Sequence, residues 1–187
     1  MIPRSVQIVR SKLAGLVVLT PSRRFGDERG FFVETYREDD WAEAGLPRFV
    51  QDNHSRSVAG VLRGLHMNTS GGGQGKLVRC GRGRIWDVAV DLRRDSPTFA
   101  AWEGVILDDV EHRQVYVPPG FAHGFCVLSE VADVAYKLTS YYDEATEYGV
   151  AWNDPQLAVA WPVSAPTLSR RDSTNPPLSE VLAQLPS

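Results

Sequence analysis

Between residues 61 and 141 the chain repeats one pattern: a short apolar run, then a turn. The runs fall at 61–67, 76–80, 84–92, 102–107, 114–117, 124–128 and 133–141. Gly81-Arg82-Gly83, Asp95-Ser96-Pro97, Asp108-Asp109 and Pro118-Pro119-Gly120 punctuate them. Runs this short cannot form stable helices, whereas turn residues at such spacing are what consecutive antiparallel strands require. In 84–92, Trp86, Val88, Val90 and Leu92 share one face and Asp87 and Asp91 the other, the two-residue period of a half-buried strand. Many short strands with protected edges predict an all-β sandwich or barrel, and we choose a jelly roll.

The flanks add less regular pieces. Residues 14–20 read as a strand, 22–30 as a polar turn ending in glycine, and 31–36 as a second strand rich in aromatic residues. Acidic residues open 38–44 and Gly45 follows it, the signals of a short helix, after which 48–53 is extended. Residues 149–162, with two Trp and two Pro, predict an irregular cover over the barrel, and 178–185 a terminal helix entered after Pro176-Pro177. With no internal repeat or linker, residues 1–187 are expected to form one domain.

Composition narrows the class of function. A hydrophobic content of 43% and a charged content of 23% suit a packed soluble domain rather than a disordered chain. The net charge of -3 supplies no basic footprint for nucleic acid, so no nucleic-acid partner is expected. Cys80 and Cys126 both lie in apolar runs and read as buried thiols in a reducing compartment, although one disulfide stays open. Arg4, Arg10 and Lys12 precede the apolar run 13–19, which is too short for a signal peptide or a membrane span and lacks a small-residue cleavage site. The expected location is the cytoplasm, with no membrane partner.

The chemistry centres on Gly60-Val-Leu-Arg-Gly-Leu-His-Met67. Histidine exchanges protons near neutrality, so His66 is a candidate base, although an isolated strand histidine is more often structural. Arg63 precedes it by three residues and Lys76 follows by ten, cations suited to an anionic substrate. Residues three apart on a regular strand point to opposite faces, so Arg63 and His66 share a cleft only if the strand is disturbed between them. Gly64 is the place for a bulge. No two of His54, His66, His112 and His123 stand in a metal-binding spacing, so no metal is expected. The chain also lacks a dinucleotide fingerprint, a phosphate loop and a nucleophile elbow. Taken singly, His123 is as well read as an edge histidine as a ligand contact, Tyr136 as a core tyrosine, and Asp172 as a solvated loop carboxylate.

Ordered together, these stretches closely resemble the dTDP-4-dehydrorhamnose 3,5-epimerase family. The resemblance runs from about Phe25 to Pro177. It is carried by Phe25-Gly-Asp-Glu-Arg-Gly-Phe-Phe, Gln51-Asp-Asn-His-Ser-Arg-Ser, Val61-Leu-Arg-Gly-Leu-His, Gln74-Gly-Lys-Leu-Val-Arg, Asp87-Val-Ala-Val-Asp-Leu-Arg, Ser96-Pro-Thr-Phe, Pro119-Gly-Phe-Ala-His-Gly-Phe and Trp152-Asn-Asp-Pro. It implies a cupin-type jelly roll (a double-stranded β-helix) with a few short peripheral helices, and a cofactor-free epimerase acting on a nucleotide-linked 4-keto-6-deoxyhexose. It further implies His66 as base, Asp172 as the carboxylate orienting it, Tyr136 as proton donor on the opposite side of the sugar, and Lys76 beside the keto oxygen. Arg29, Glu34, Gln51, Asp52, Asn53, Arg63, His123, Glu147 and Arg171 match positions that contact substrate, and Phe25 and Tyr142 match aromatics that hold the nucleotide base.

The family is typically homodimeric with exchanged amino-terminal strands, so Phe25 and Arg29 are expected to serve a partner's site. One departure follows His66: Met67-Asn68 and the loop Thr69-Ser-Gly-Gly-Gly73 replace the usual aromatic, glutamine and proline-containing loop. A different 4-keto sugar, or inversion at one carbon only, is the expectation attached to it. Alternatives at this point are a mono-epimerase acting at C3 or C5, a non-catalytic sugar-nucleotide-binding jelly roll, and a metal-dependent cupin enzyme.

Overall fold

The structure, a computed structural model, describes residues 6–185; Arg4 lies outside them. Among these residues, β1 (Val6–Arg10), β2 (Val17–Pro21), β10 (Gln114–Val117), β7 (Lys76–Arg82), β12 (Val131–Leu138) and β5 (Gln51–Val58) lie in that order in a six-stranded sheet. A five-stranded sheet takes the order β13 (Glu147–Gly149), β6 (Leu62–Asn68), β11 (Phe121–Val127), β8 (Arg84–Asp91) and β9 (Trp102–Asp108). Every pairing between these strands is antiparallel. The two sheets face each other as a jelly roll of the cupin type.

Three apolar clusters hold the layers. Val78, Ile85, Phe121, Phe125 and Val134 fill the space between the sheets. Leu19, Leu77, Trp41 and Leu46 seal the outer face of the six-stranded sheet beneath the short helix α1 (Glu38–Glu43). Val88, Val90, Leu157, Leu178 and Val181 seal the outer face of the five-stranded sheet beneath the irregular segment after residue 149 and the terminal helix α2 (Leu178–Gln184). Leu178 and Leu65 are each 0% exposed, and burying one such side chain contributes roughly 1.5–3 kcal/mol.

Four expectations change. The alternation of β8 places Val88 and Val90 on the outer face, under the tail, while Asp87 and Asp91 are buried at 1% and 0% exposure. This strand is therefore buried on both faces rather than half-buried, because the tail covers the apolar side. The strand expected at 14–20 begins at Val17, since Gly15 turns the chain at φ +96 and Leu13 and Leu16 plug the core instead. It pairs with β1, which the sequence did not announce. The polar stretch at 22–30 forms half of a hairpin, β3 (Arg24–Asp27) with β4 (Gly30–Val33), because mutual pairing satisfies its backbone without burial.

Of the remaining flanking elements, the strand expected at 31–36 stops at Val33, and the stretch expected to be extended over 48–53 becomes a strand only at Gln51 and runs on to Val58. Helix α1 ends at Gly45 with φ +82, α2 lies where the proline pair releases it, and 149–162 is irregular cover. Cys80 and Cys126 are free and buried; burial pushes the Cys80 thiol up to about 12 and raises that of Cys126. Among the described residues no helix is long and apolar enough to cross a membrane.

Candidate active site

Strand β6 carries the site's first two groups, and a break in its ladder brings them together. His66 pairs with His123 on β11, while Arg63 pairs with Phe125, so three steps along β6 oppose two along β11. The extra residue is a β-bulge, and it turns Arg63 and His66 into one cavity. Gly64 permits it: φ is +125, and a Cβ there would lie 2.6 Å from Gly124 Cα. Gly64→Ala should therefore cost at least about 2 kcal/mol in urea denaturation. An unchanged unfolding midpoint would show that the two backbones do not press together at this point.

The cavity has a volume of about 220 Å³ and opens between the sheets. From the five-stranded side comes His66, whose Nε2 donates to Asp172 Oδ1 at 2.5 Å, leaving Nδ1 to accept a proton. Asp172 lies on a short 3-10 turn (Asp172–Thr174) and is 4% exposed; its backbone N–H donates to Ser169 Oγ at 3.0 Å. Burial works against its charge, but the bond and the charge of His66 outweigh that and hold the carboxyl below the usual range. Beside His66, His123 Nε2 lies 2.8 Å from Asp87 Oδ2, both groups buried.

The six-stranded side supplies Lys76 on β7 and Tyr136 on β12. Lys76 Nζ donates to the His66 carbonyl at 3.4 Å. Its burial pushes the ammonium down to about 8, against the opposing pull of Glu147 and Asp87. A third wall joins Tyr142, Glu147 and Arg171. Tyr142 OH donates to Glu147 Oε2 at 2.7 Å, and Arg171 donates to the same oxygen. Burial disfavours the Glu147 carboxylate, yet these two bonds hold its carboxyl low, and the same carboxylate raises the Tyr142 phenol. A cavity containing Arg63, Lys76 and Arg171 suits an anionic ligand, and its His66 and Tyr136 come from opposite sheets.

Ten of the residues singled out in the sequence line this cavity: Asn53, Arg63, His66, Lys76, His123, Tyr136, Tyr142, Glu147, Arg171 and Asp172. Gln51 stands at its edge, donating to Asn53 Oδ1 at 3.0 Å and accepting from the Tyr142 N–H at 2.9 Å. Asp52 lies on the other side of β5, paired with Lys137 at 2.6 Å. Phe25, Arg29 and Glu34 are not brought to the cavity. Phe25 and Arg29 belong to the exposed hairpin, where Arg29 pairs with Asp27, and Glu34 pairs with Arg37 at 2.7 Å.

Sequence reasoning missed Asp87 as the partner of His123, and missed Ser169, Gln74, Ser55, Phe125 and Leu138. A signal for Asp87 was present, since an acidic residue alternating with apolar ones must find a cation or a histidine if its face is buried. Met67 packs into the outer cluster and Asn68 bonds the chain near residue 143, so neither departure from the family motif lines the cavity. Among the described residues no three His, Cys, Asp or Glu side chains converge as metal ligands.

The family model described as dTDP-4-dehydrorhamnose 3,5-epimerase matches residues 10–180. A Pseudomonas aeruginosa protein of that name is 53% identical over 159 residues, which cover 83% of this chain and 87% of the relative. A Streptomyces niveus dTDP-4-dehydrorhamnose 3-epimerase is 48% identical over 162 residues, 86% and 78% of the two chains. The solved structure of a Legionella pneumophila dTDP-6-deoxy-D-glucose-3,5-epimerase, in complex with dTDP-4-keto-L-rhamnose, superposes with a TM-score of 0.91. It is 46% identical, and the match covers 96% of each chain.

Proposed function

The chain belongs to the dTDP-4-dehydrorhamnose 3,5-epimerase family, and on that premise we propose that it converts dTDP-4-dehydro-6-deoxy-D-glucose to dTDP-4-dehydro-L-rhamnose by inverting C3 and C5. One observation carries the proposal: a histidine on one sheet, held by a buried carboxylate, shares a cavity with a tyrosine from the other sheet and with a half-buried lysine.

The hydrogens on C3 and C5 flank the C4 ketone. His66 Nδ1 takes one of them, and the electron pair of that C–H bond moves into an enolate whose charge rests on the C4 oxygen. Asp172 fixes the imidazole tautomer and favours the imidazolium. Lys76 stabilises the enolate oxygen, and a donor so placed commonly lowers a barrier by about 3–4 kcal/mol. Tyr136 then gives its phenolic proton to the opposite face of the same carbon, which inverts the centre, and both groups reset through solvent. Because the ketone is itself the electron sink, no cofactor enters. Arg63 and Arg171 offer guanidinium groups to the diphosphate, and Tyr142 a ring to the base.

Phe25, Arg29 and Glu34 point to a homodimer in which each exposed amino-terminal hairpin completes the partner's cavity; a monomer in sedimentation equilibrium would remove that assignment. The buried free thiols fit a cytoplasmic enzyme. Activity should survive dialysis against a chelator, and its loss would restore the metal-dependent alternative.

The test is proton NMR of dTDP-4-keto-6-deoxyglucose in deuterated water. Deuterium at C3 and C5 with the L-lyxo product is expected; no exchange at either carbon would leave a binding protein. The 48% identity to a 3-epimerase supports one second outcome, label and inversion at a single carbon. In the same assay Tyr136→Phe should retain deuterium uptake within about tenfold while losing inversion by about 10²-fold or more. Equal loss of both would refute the division of labour between His66 and Tyr136.

A further inference from the structure

We infer that Asn68, two residues beyond the proposed base and outside the cavity, is a positioning residue that sets nucleotide affinity by fixing segment 140–147. The inference rests on the function proposed above. Asn68 is 3% exposed and uses both ends of its amide. Its Nδ2 donates to the Asp143 carbonyl at 2.8 Å, across 75 residues of sequence. Its Oδ1 accepts from the Ser70 N–H at 2.9 Å and from Thr146 Oγ1 at 3.0 Å.

A turn-forming asparagine would need only the Ser70 bond; the other two tie the Gly-rich loop to the segment that carries Tyr142 and leads into Glu147. Two neighbouring bonds reinforce the tie. The Thr69 N–H donates to the Thr146 carbonyl at 3.0 Å, and Gln74 Nε2, on a side chain 5% exposed, donates to the Ser140 carbonyl at 3.1 Å. Asn68 itself pairs with Glu147 in the β6–β13 ladder. Tyr142 is thus held by Gln51 from the β5 side and by the Asn68 network from the loop side, while its hydroxyl is held by Glu147.

Without the Asn68 amide, three partners lose a part-buried hydrogen bond and the segment is free to shift its ring relative to the cavity. His66, Asp172, Lys76 and Tyr136 do not depend on those bonds, so binding should suffer and chemistry should not.

The experiment is calorimetric titration with dTDP alongside steady-state kinetics for the wild type, Asn68→Ala, Asn68→Gln and Thr146→Val. Asn68→Ala should raise the dTDP Kd and the KM together by about tenfold with kcat within about twofold. Asn68→Gln, which keeps an amide, should recover most of the affinity, and Thr146→Val should shift both constants by about threefold in the same direction. Wild-type affinity in Asn68→Ala, whatever its melting temperature, or a kcat loss as large as the KM change, overturns the inference. If Asn68→Ala does not fold, unchanged affinity in Thr146→Val does so. A wild type that binds dTDP while the variants bind equally well defeats only this inference, whereas a wild type that neither binds nor turns over defeats the function itself.

Discussion

His66→Ala is expected to abolish deuterium uptake at C3 and C5 together and to lower turnover by about 10³-fold or more, with dTDP affinity held within about threefold. Both carbons flank one ketone, so a single base serves both, and their exchange must disappear in parallel. His66 is placed for this work by geometry: Nε2 is occupied by Asp172, which leaves Nδ1 as the acceptor. The same substitution strips a buried carboxylate of its principal partner. The Asp172 carboxyl is held low by His66, so it contributes stability above the ordinary carboxylate range that is lost as pH falls through its depressed pKa. The stability advantage of the wild type over His66→Ala should therefore narrow as pH falls, since the variant has already forfeited this contribution. Thermal melts at pH 3 to 7 read this directly. Exchange persisting at either carbon in His66→Ala would transfer the base role to another group.

Lys76→Met should act on activity and stability in opposite directions. Removing the cation beside the enolate oxygen should cost about 10²–10³-fold in kcat. Burial holds the folded pKa of Lys76 near 8, below the unfolded 10.5. Between those values the unfolded chain binds more protons than the folded one, so the wild type gains stability as pH rises from 8 to 10.5. Below pH 8 the full cost of burying the charge is present, on the order of 1–3 kcal/mol after the attraction of Glu147 and Asp87 is allowed for. Lys76→Met should be more stable than wild type at pH 7 by about that amount, and the difference should shrink toward pH 10.5. Wild-type kcat/KM should fall as pH rises through 8 for the complementary reason, loss of the cation. A variant that keeps its activity, or melts below the wild type at pH 7, would show that Lys76 does not carry the buried charge assigned to it.

The strands of the barrel were legible because turn residues interrupt apolar runs at regular intervals, and that pattern survives in β6 to β12 almost residue for residue. Which face of a strand looks inward was not. Period two sorts side chains into two sets, but only the docking of Leu157, Leu178 and Val181 decides that Val88 and Val90 lie outside and Asp87 inside. The first strand of the hairpin at 24–33 escaped notice because its stability comes from backbone pairing and its composition is that of a loop, whereas the aromatic run of the second strand was legible. At the site, Arg63 and His66 were linked by a physical cue, the glycine between them. The bond between His66 and Asp172 has no local signature and was anticipated only through the resemblance. His123 and Asp87 had a weak one, an acidic residue in an apolar strand, that went unused.

The carboxylate that holds His66 stands 106 residues further along the chain, on a turn between the barrel and the last helix. During synthesis every strand of the barrel is therefore complete before Asp172 exists. A barrel whose sheets have closed without residues 169–172 has no carboxylate to hold the tautomer of His66. On the function proposed above, competence needs residues 169–172 settled against β6 as well as a closed barrel, so the onset of turnover during refolding should lag behind the formation of the sheets.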